Sequence, residues 1–254
     1  MNADQASCGY GCSGNPYDAY WVFDPIGHGD IHEMGHSMQK IRFEGFPNHA
    51  ATNTFSYYTK SRYFANTGEE PNCQGLPFKK VFDTVNSAVG EDNVTQYLKT
   101  NLWDNAGLGE QYLLKIEAMM HVEKMDKIEN GWHILARVHI LEREMSRAKK
   151  DWDTKKDDVG FSTYTLDEIN SISNNDWLVV AYSYAGEVDF RDYFDMMGIS
   201  YSQKARNQIE SFGFDVVPNA LFVSTNKGYC KEDKYGRLFD RDILEVNGTT
   251  VYPY

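Results

Sequence analysis

The apolar positions of this chain recur mostly at helical intervals. Leu113, Leu114, Ile116, Met119, Met120 and Val122 predict a helix over about 107–126. Trp132, Leu135, Val138, Leu141 and Met145 predict another over about 132–149. Similar patterns place helices over about 78–89, 91–103, 165–173, 176–186, 189–197 and 202–212. Two more are expected nearer the N-terminus. Ile31, Met34, Met38 and Ile41 supply the packing positions of one over about 29–42, and Asn48 is suited to cap a second that runs to about Phe64. Phe43-Glu44-Gly45-Phe46-Pro47 separates the two, because Gly and Pro end helices. Residues 1 to about 25 read as irregular, and 65–77 and 151–160 as loops, the last one charged. Beyond Phe214 the pattern shortens, and 216–223 and 243–251 read as strands with polar turns. No internal repeat or low-complexity linker interrupts the chain. The expected architecture is one domain over 1–254, mainly α, with a small β-containing C-terminal part.

Composition narrows the function. With 254 residues and 41% hydrophobic content, the chain can bury a sizeable core. A net charge of −12 disfavours nucleic acid and anionic membranes as partners. No run of 18 apolar residues exists, so no membrane insertion is expected. Met1-Asn2-Ala3-Asp4-Gln5 has neither the basic nor the apolar region of a secretion signal. The four cysteines, Cys8, Cys12, Cys73 and Cys230, are even in number and lack the spacing of a zinc ribbon or finger. They suit two disulfides and an oxidising compartment.

The chemistry concentrates in Gly27-His28-Gly29-Asp30-Ile31-His32-Glu33-Met34-Gly35-His36. Residues four apart on a helix share a face, so His32 and His36 can offer two imidazoles to one metal ion. Glu33 sits about 100° further around, beside the metal and not among its ligands. Zinc lowers the pKa of a bound water to about 7, and Glu33 is placed to act as general base on it. The pattern H-E-x-x-H also occurs by chance on surface helices. Here the glycines before it, the apolar positions within it and a third donor soon after it favour a catalytic zinc site.

Such a site takes three protein ligands and leaves a position open. Glu44 lies in the break after the first helix, and His49 starts the next. A second helix packed across the first can face both histidines, which favours His49, with Glu44 as the alternative. His121, His133 and His139 read as ordinary core or surface histidines, and His28 as a loop residue near the metal in sequence. Tyr57, Tyr58, Lys60 and Arg62 lie on the helix after His49. Any of them can reach the cleft to contact substrate or the transition state, or can simply pack. A motif only 32 residues in is early for a complete metallopeptidase, so the chain is expected to be a piece of a longer multidomain protein.

His32 to Gln39, followed by His49-Ala50-Ala51-Thr52-Asn53-Thr54-Phe55-Ser56-Tyr57-Tyr58, resembles the M-sixty-like metallopeptidases, the group of enhancins and mucin-directed proteases. In that register His49 stands where the family has a glutamate ligand. Ala185-Gly186-Glu187-Val188-Asp189-Phe190-Arg191-Asp192-Tyr193-Phe194 with Met197-Gly198-Ile199 resembles a second block of the family, and the likeness spans about 20–225. The resemblance implies a gluzincin-like catalytic domain holding one Zn2+. It also implies a secreted or cell-surface bacterial endopeptidase that cleaves O-glycosylated, mucin-like proteins. Glu187 and Asp189 are then candidates to meet sugar hydroxyls or to hold an imidazole N–H. Two other functions compete: an inactive glycan-binding or adhesion module, against which an intact Glu33 argues, and a metallopeptidase without glycan preference.

Overall fold

The computed structural model describes residues 31, 35, 41–46, 48–69, 75–104, 106, 108–225 and 242–254. Ten α-helices are named in them: α1 (Asn48–Thr67), α2 (Phe78–Ser87), α3 (Val94–Leu98), α4 (Leu108–Lys124), α5 (Trp132–Ala148), α6 (Trp152–Lys155), α7 (Leu166–Asn170), α8 (Asn174–Gly186), α9 (Arg191–Met196) and α10 (Gln203–Glu210). Two strands follow, β1 (Ala220–Phe222) and β2 (Ile243–Glu245), paired antiparallel with Leu221 opposite Leu244. The mainly helical class with a small β part is thus as the periodicity predicts.

Local chemistry sets the helix ends. Asn93, Ser173 and Ser202 cap α3, α8 and α10 by accepting the backbone N–H three residues on. Thr165 and Glu168 form a reciprocal capping box on α7. α8 ends at Glu187, whose φ of +55° is left-handed without being glycine. Arg137 holds that corner by donating to the Ala185 carbonyl at 3.0 Å and to the Glu187 carboxylate at 3.2 Å.

The helices neighbour one another in a row: α1 packs on α4, α4 on α5, α5 on α8, and α8 on α10. α4 is the centre. Its residues from Tyr112 to Val122 are all buried, so the helix has no solvent face. Glu117 and His121, one turn apart, are among the polar side chains it buries, and both bond to the first strand. Glu117 accepts the Phe222 N–H at 2.9 Å, and His121 Nε2 lies 2.9 Å from the Ala220 carbonyl oxygen. β1 is therefore fastened to α4 through two of the helix's buried polar side chains.

Several boundaries differ from the sequence expectation. Residues 41–46 are not helical, so the helix expected to reach 42 stops short of Ile41. The charged stretch 151–160 contains α6, because Trp152 is buried and its Nε1 donates to the Tyr164 carbonyl at 2.8 Å. The helix expected over 91–103 splits into α3 and a π-turn, Lys99–Trp103, closed by Asp104 N–H donating to Lys99 O at 2.7 Å. The wider turn brings Trp103 round so that its Nε1 donates to the Met197 carbonyl at 2.8 Å. Among the described residues the two strands are shorter than the apolar runs that suggested them: Val216 makes an isolated bridge to Asp189, and the residues after each strand take side-chain contacts. All four cysteines lie outside the described residues. Among the described residues, no helix is long and apolar enough to cross a membrane.

Gly160 shows how tightly the α8 face is packed. Its φ is +79°, and a Cβ there would lie 2.5 Å from the Tyr184 ring. Left-handed backbone costs an L-residue about 1–2 kcal/mol before any clash. Gly160→Ala is therefore expected to lower the unfolding midpoint by at least about 4 °C in calorimetry, given about 2–4 °C per kcal/mol for a chain of this size. An unchanged midpoint would refute the packing described.

Candidate metal centre

His32, Glu33 and His36 lie outside the described residues. Their frame is described at two positions: Ile31 and Gly35 both have helical backbone and are both buried. Such a spacing of four residues is one helical turn. Glu44 is exposed in the turn that follows. His49 has its backbone in the first turn of α1, and its side chain lies outside what the structure describes. Among the described residues no three His, Cys, Asp or Glu side chains converge to hold a metal. Of the sequence candidates for the metal, Glu44 alone has a described side chain.

The segment between the two candidate ligand helices is well ordered by its sequence. Phe46 N–H donates to Phe43 O at 3.2 Å, closing a turn in which Gly45 takes a φ of +79°. Phe43 and Phe46 flank the turn and are buried, while Glu44 and Gly45 between them are exposed. The Phe43 ring lies 5.7 Å from Phe194 and 6.4 Å from Tyr182, and the Phe46 ring 5.3 Å from Trp103. The Glu44 N–H donates to Asn175 Oδ1 at 2.8 Å. The turn that links the two pieces of the first stretch quoted for the family likeness therefore meets Phe194 of the second.

The remaining candidates separate by environment. Tyr57 is 1% exposed, and its ring meets Tyr112 edge-on at 5.1 Å, whereas Tyr58 is 43% exposed beside Trp132. Lys60 is buried and Arg62 half-buried on the same helix. Glu187 pairs with Arg137. Asp189 is buried and takes Arg191 at 2.7 Å along with the Arg191 backbone N–H at 3.0 Å. Its carboxylate is thus occupied in holding the start of α9. His133 is exposed, and His139 stacks beside Phe55 with Nδ1 3.4 Å from Glu142. His121 is a core histidine, between the rings of Phe222 at 4.9 Å and Tyr193 at 5.6 Å. Asn175 and Trp103 were not among the sequence candidates. Asn175 resembles an ordinary residue in the first turn of a helix, and no spacing rule reveals its partner.

Buried charge is unevenly tolerated here. Burial pushes the Lys115 amine down to about 8, with Glu142 opposing the shift. Burial likewise pushes the His121 imidazole down to about 4, against the bond to Ala220. The carbonyl partner assigns the proton to Nε2 of a neutral ring.

No family model matches the chain. It is 28% identical over 245 residues, 89% of its length, to the immunomodulating metalloprotease of Pseudomonas aeruginosa. It spans only 26% of that relative's length. Among solved structures it matches an IMPa metallopeptidase in complex with T-antigen, with a TM-score of 0.79 and 24% identity over 97% of this chain and 28% of the other. The IMPa metallopeptidase from Pseudomonas aeruginosa gives the same figures. A structure of IMPa in complex with an O-glycopeptide gives a TM-score of 0.78 and 22% identity over 97% of this chain and 28% of the other. The structural matches establish the fold.

The His121 shift has a pH signature. Its pKa is lower in the fold, at about 4, than the ordinary 6.5, so the unfolded chain takes up the proton first as pH falls. The stabilisation is complete above 6.5 and is lost as pH drops toward 4, by about 3 kcal/mol in total. His121→Gln keeps a donor for Ala220 without the titration. Urea unfolding between pH 6.5 and 4 is expected to show a shallower loss of stability in the variant. Equal slopes in the two proteins would refute the assignment.

Proposed function

We propose, taking the chain as a member of the M-sixty-like metallopeptidases, that it is a zinc-dependent endopeptidase acting on O-glycosylated, mucin-like proteins. The observation that carries this is the position of His32-Glu33-Met34-Gly35-His36 inside a chain similar over 245 residues to a metalloprotease. Two neutral imidazoles with a third nitrogen or carboxylate donor are the ligand types that zinc takes in catalytic sites. The buried, helical positions of Ile31 and Gly35 support that donor set. We assign His32, His36 and His49 as the ligands, with Glu44 as the alternative to His49.

When bound, zinc polarises the scissile carbonyl and acidifies the attacking water. The rest falls to side chains of this chain. Glu33 takes a proton from the water as its oxygen bonds to the carbonyl carbon. It then delivers that proton to the amide nitrogen as the C–N bond breaks, so the amine leaves neutral. Tyr58 is the exposed ring on α1 available to a substrate, while Tyr57 serves packing against Tyr112. The glycosylated substrate is supported by the structural neighbours bound to T-antigen and to an O-glycopeptide. A substrate of that kind places the activity outside the bacterial cell, on the surface or secreted.

Glu33→Gln tests the mechanism. Zinc and fold should persist, while cleavage of a mucin-like glycoprotein should fall by about 10²–10⁴-fold. Cleavage at the wild-type rate would overturn the assignment of Glu33. Full glycoprotein binding by a wild type that never cleaves would favour the adhesion module instead.

The third ligand is tested separately by elemental analysis. His49→Ala should lose zinc and activity, and Glu44→Ala should retain both. A ligand loss should exceed the ~10–100-fold typical of supporting residues. The opposite pattern would move the ligand to Glu44.

A further inference from the structure

Asn175 ties the segment between the two candidate ligand helices to the helical body. It lies in the first turn of α8 and is 8% exposed. Its Oδ1 accepts the Glu44 N–H at 2.8 Å, and its Nδ2 donates to the Ser200 carbonyl at 2.9 Å. A donor on one side and an acceptor on the other fix the orientation of the amide. One side chain thus joins three stretches of chain: the 43–46 turn, the start of α8 and the residues after Gly198.

The other forces on the turn are apolar. Phe43 and Phe46 are buried against Phe194, Tyr182 and Trp103. Burial of that kind is strong, and ring contacts tolerate a range of angles, so it seats the turn against the core without fixing its backbone register. The bond to the Glu44 N–H is directional and sets that register. The turn follows His36 and precedes His49 closely, and it carries Glu44 itself. The bond thus acts on the backbone of one candidate third donor, Glu44, and on the stretch of chain that links His36 to the other, His49.

We propose that Asn175 is a positioning residue of the metal centre, acting through the Glu44 backbone N–H. This rests on the zinc reading above. Misplacement of one donor lowers metal affinity even when the fold survives, as with other residues that orient ligands.

The test is zinc affinity of the full chain, measured by competition with a chromogenic chelator, alongside thermal unfolding of the metal-free protein. Asn175→Ala removes both bonds. Asn175→Asp keeps an acceptor for the Glu44 N–H and loses the donor to Ser200 O. Its second oxygen then faces the Ser200 carbonyl, so the metal-free protein is expected to unfold at a lower temperature while the acceptor for the Glu44 N–H remains. Asn175→Gln keeps the amide and displaces it by one methylene. The Ala and Gln variants are expected to bind zinc about 10–100-fold more weakly, and the Asp variant close to the wild type. Rescue by Asp separates a role through Glu44 from a merely structural one, which would weaken Asp and Ala alike. Should Asn175→Ala not fold, the comparison of Gln with Asp decides. Equal affinities in all variants, or Asp as weak as Gln, would overturn the inference while leaving the zinc reading intact. A wild type that takes up no zinc would overturn both.

Discussion

The structure depends on one cluster of aromatic rings around Phe194. That ring lies 5.4 Å from Tyr193, 5.7 Å from Phe190 and 6.2 Å from Tyr182, with Phe43 at 5.7 Å from the N-terminal side. All five side chains are buried. Rings packed edge-on or tilted combine large apolar burial with a preference for particular angles. The cluster therefore bonds α8 and α9 to each other and also gives the 43–46 turn a shaped surface to sit on. Tyr193 adds a polar tie, its hydroxyl donating to the Leu114 carbonyl in the central helix at 2.5 Å. Removal of that ring would loosen the site segment and the centre of the molecule together.

A second constraint comes from α4 being buried on every side. A helix in that position is usually apolar throughout, yet this one carries Lys115, Glu117 and His121. Glu117 and His121 have specific backbone partners in β1, so their polarity selects where the strand lies along the helix. A wholly apolar α4 would bury as much area and leave that register open. Lys115 is different. Its burial is opposed only in part by Glu142, and the amine titrates near 8 as a result.

Much of the fold was legible because the apolar positions of α2, α4, α5, α8 and α10 repeat with the helical period. The misplaced boundaries share a cause. α6 and the π-turn are set by Trp152 and Trp103, each seeking a distant carbonyl for its indole N–H, and such a partner leaves no periodic trace. The strands were overextended because Val216, Val217 and Val251 are β-branched, and propensity alone does not continue a ladder: Val216 makes an isolated parallel bridge to Asp189 and not a strand. In the candidate site, the chemistry of His32, Glu33 and His36 was legible as a motif of adjacent residues, and those residues lie outside the described ones. The reading missed Asn175, whose partner Glu44 is 131 positions away. It weighed Glu187 and Asp189 as candidates for sugar or imidazole contact, although each has a nearby arginine, because charge alone does not say which partner is closer.

That separation of 131 positions bears on the order in which the molecule assembles. Closing a loop costs more entropy as it lengthens, and pairings between distant stretches form after local ones. Helices such as α4 and α5, joined by a short turn, can dock early. The 43–46 turn has nothing to dock on until α8 and α9 have come together. The turn that carries Glu44 is thus seated late. A nascent chain emerging N-terminus first carries this turn undocked until more than a hundred further residues have been made.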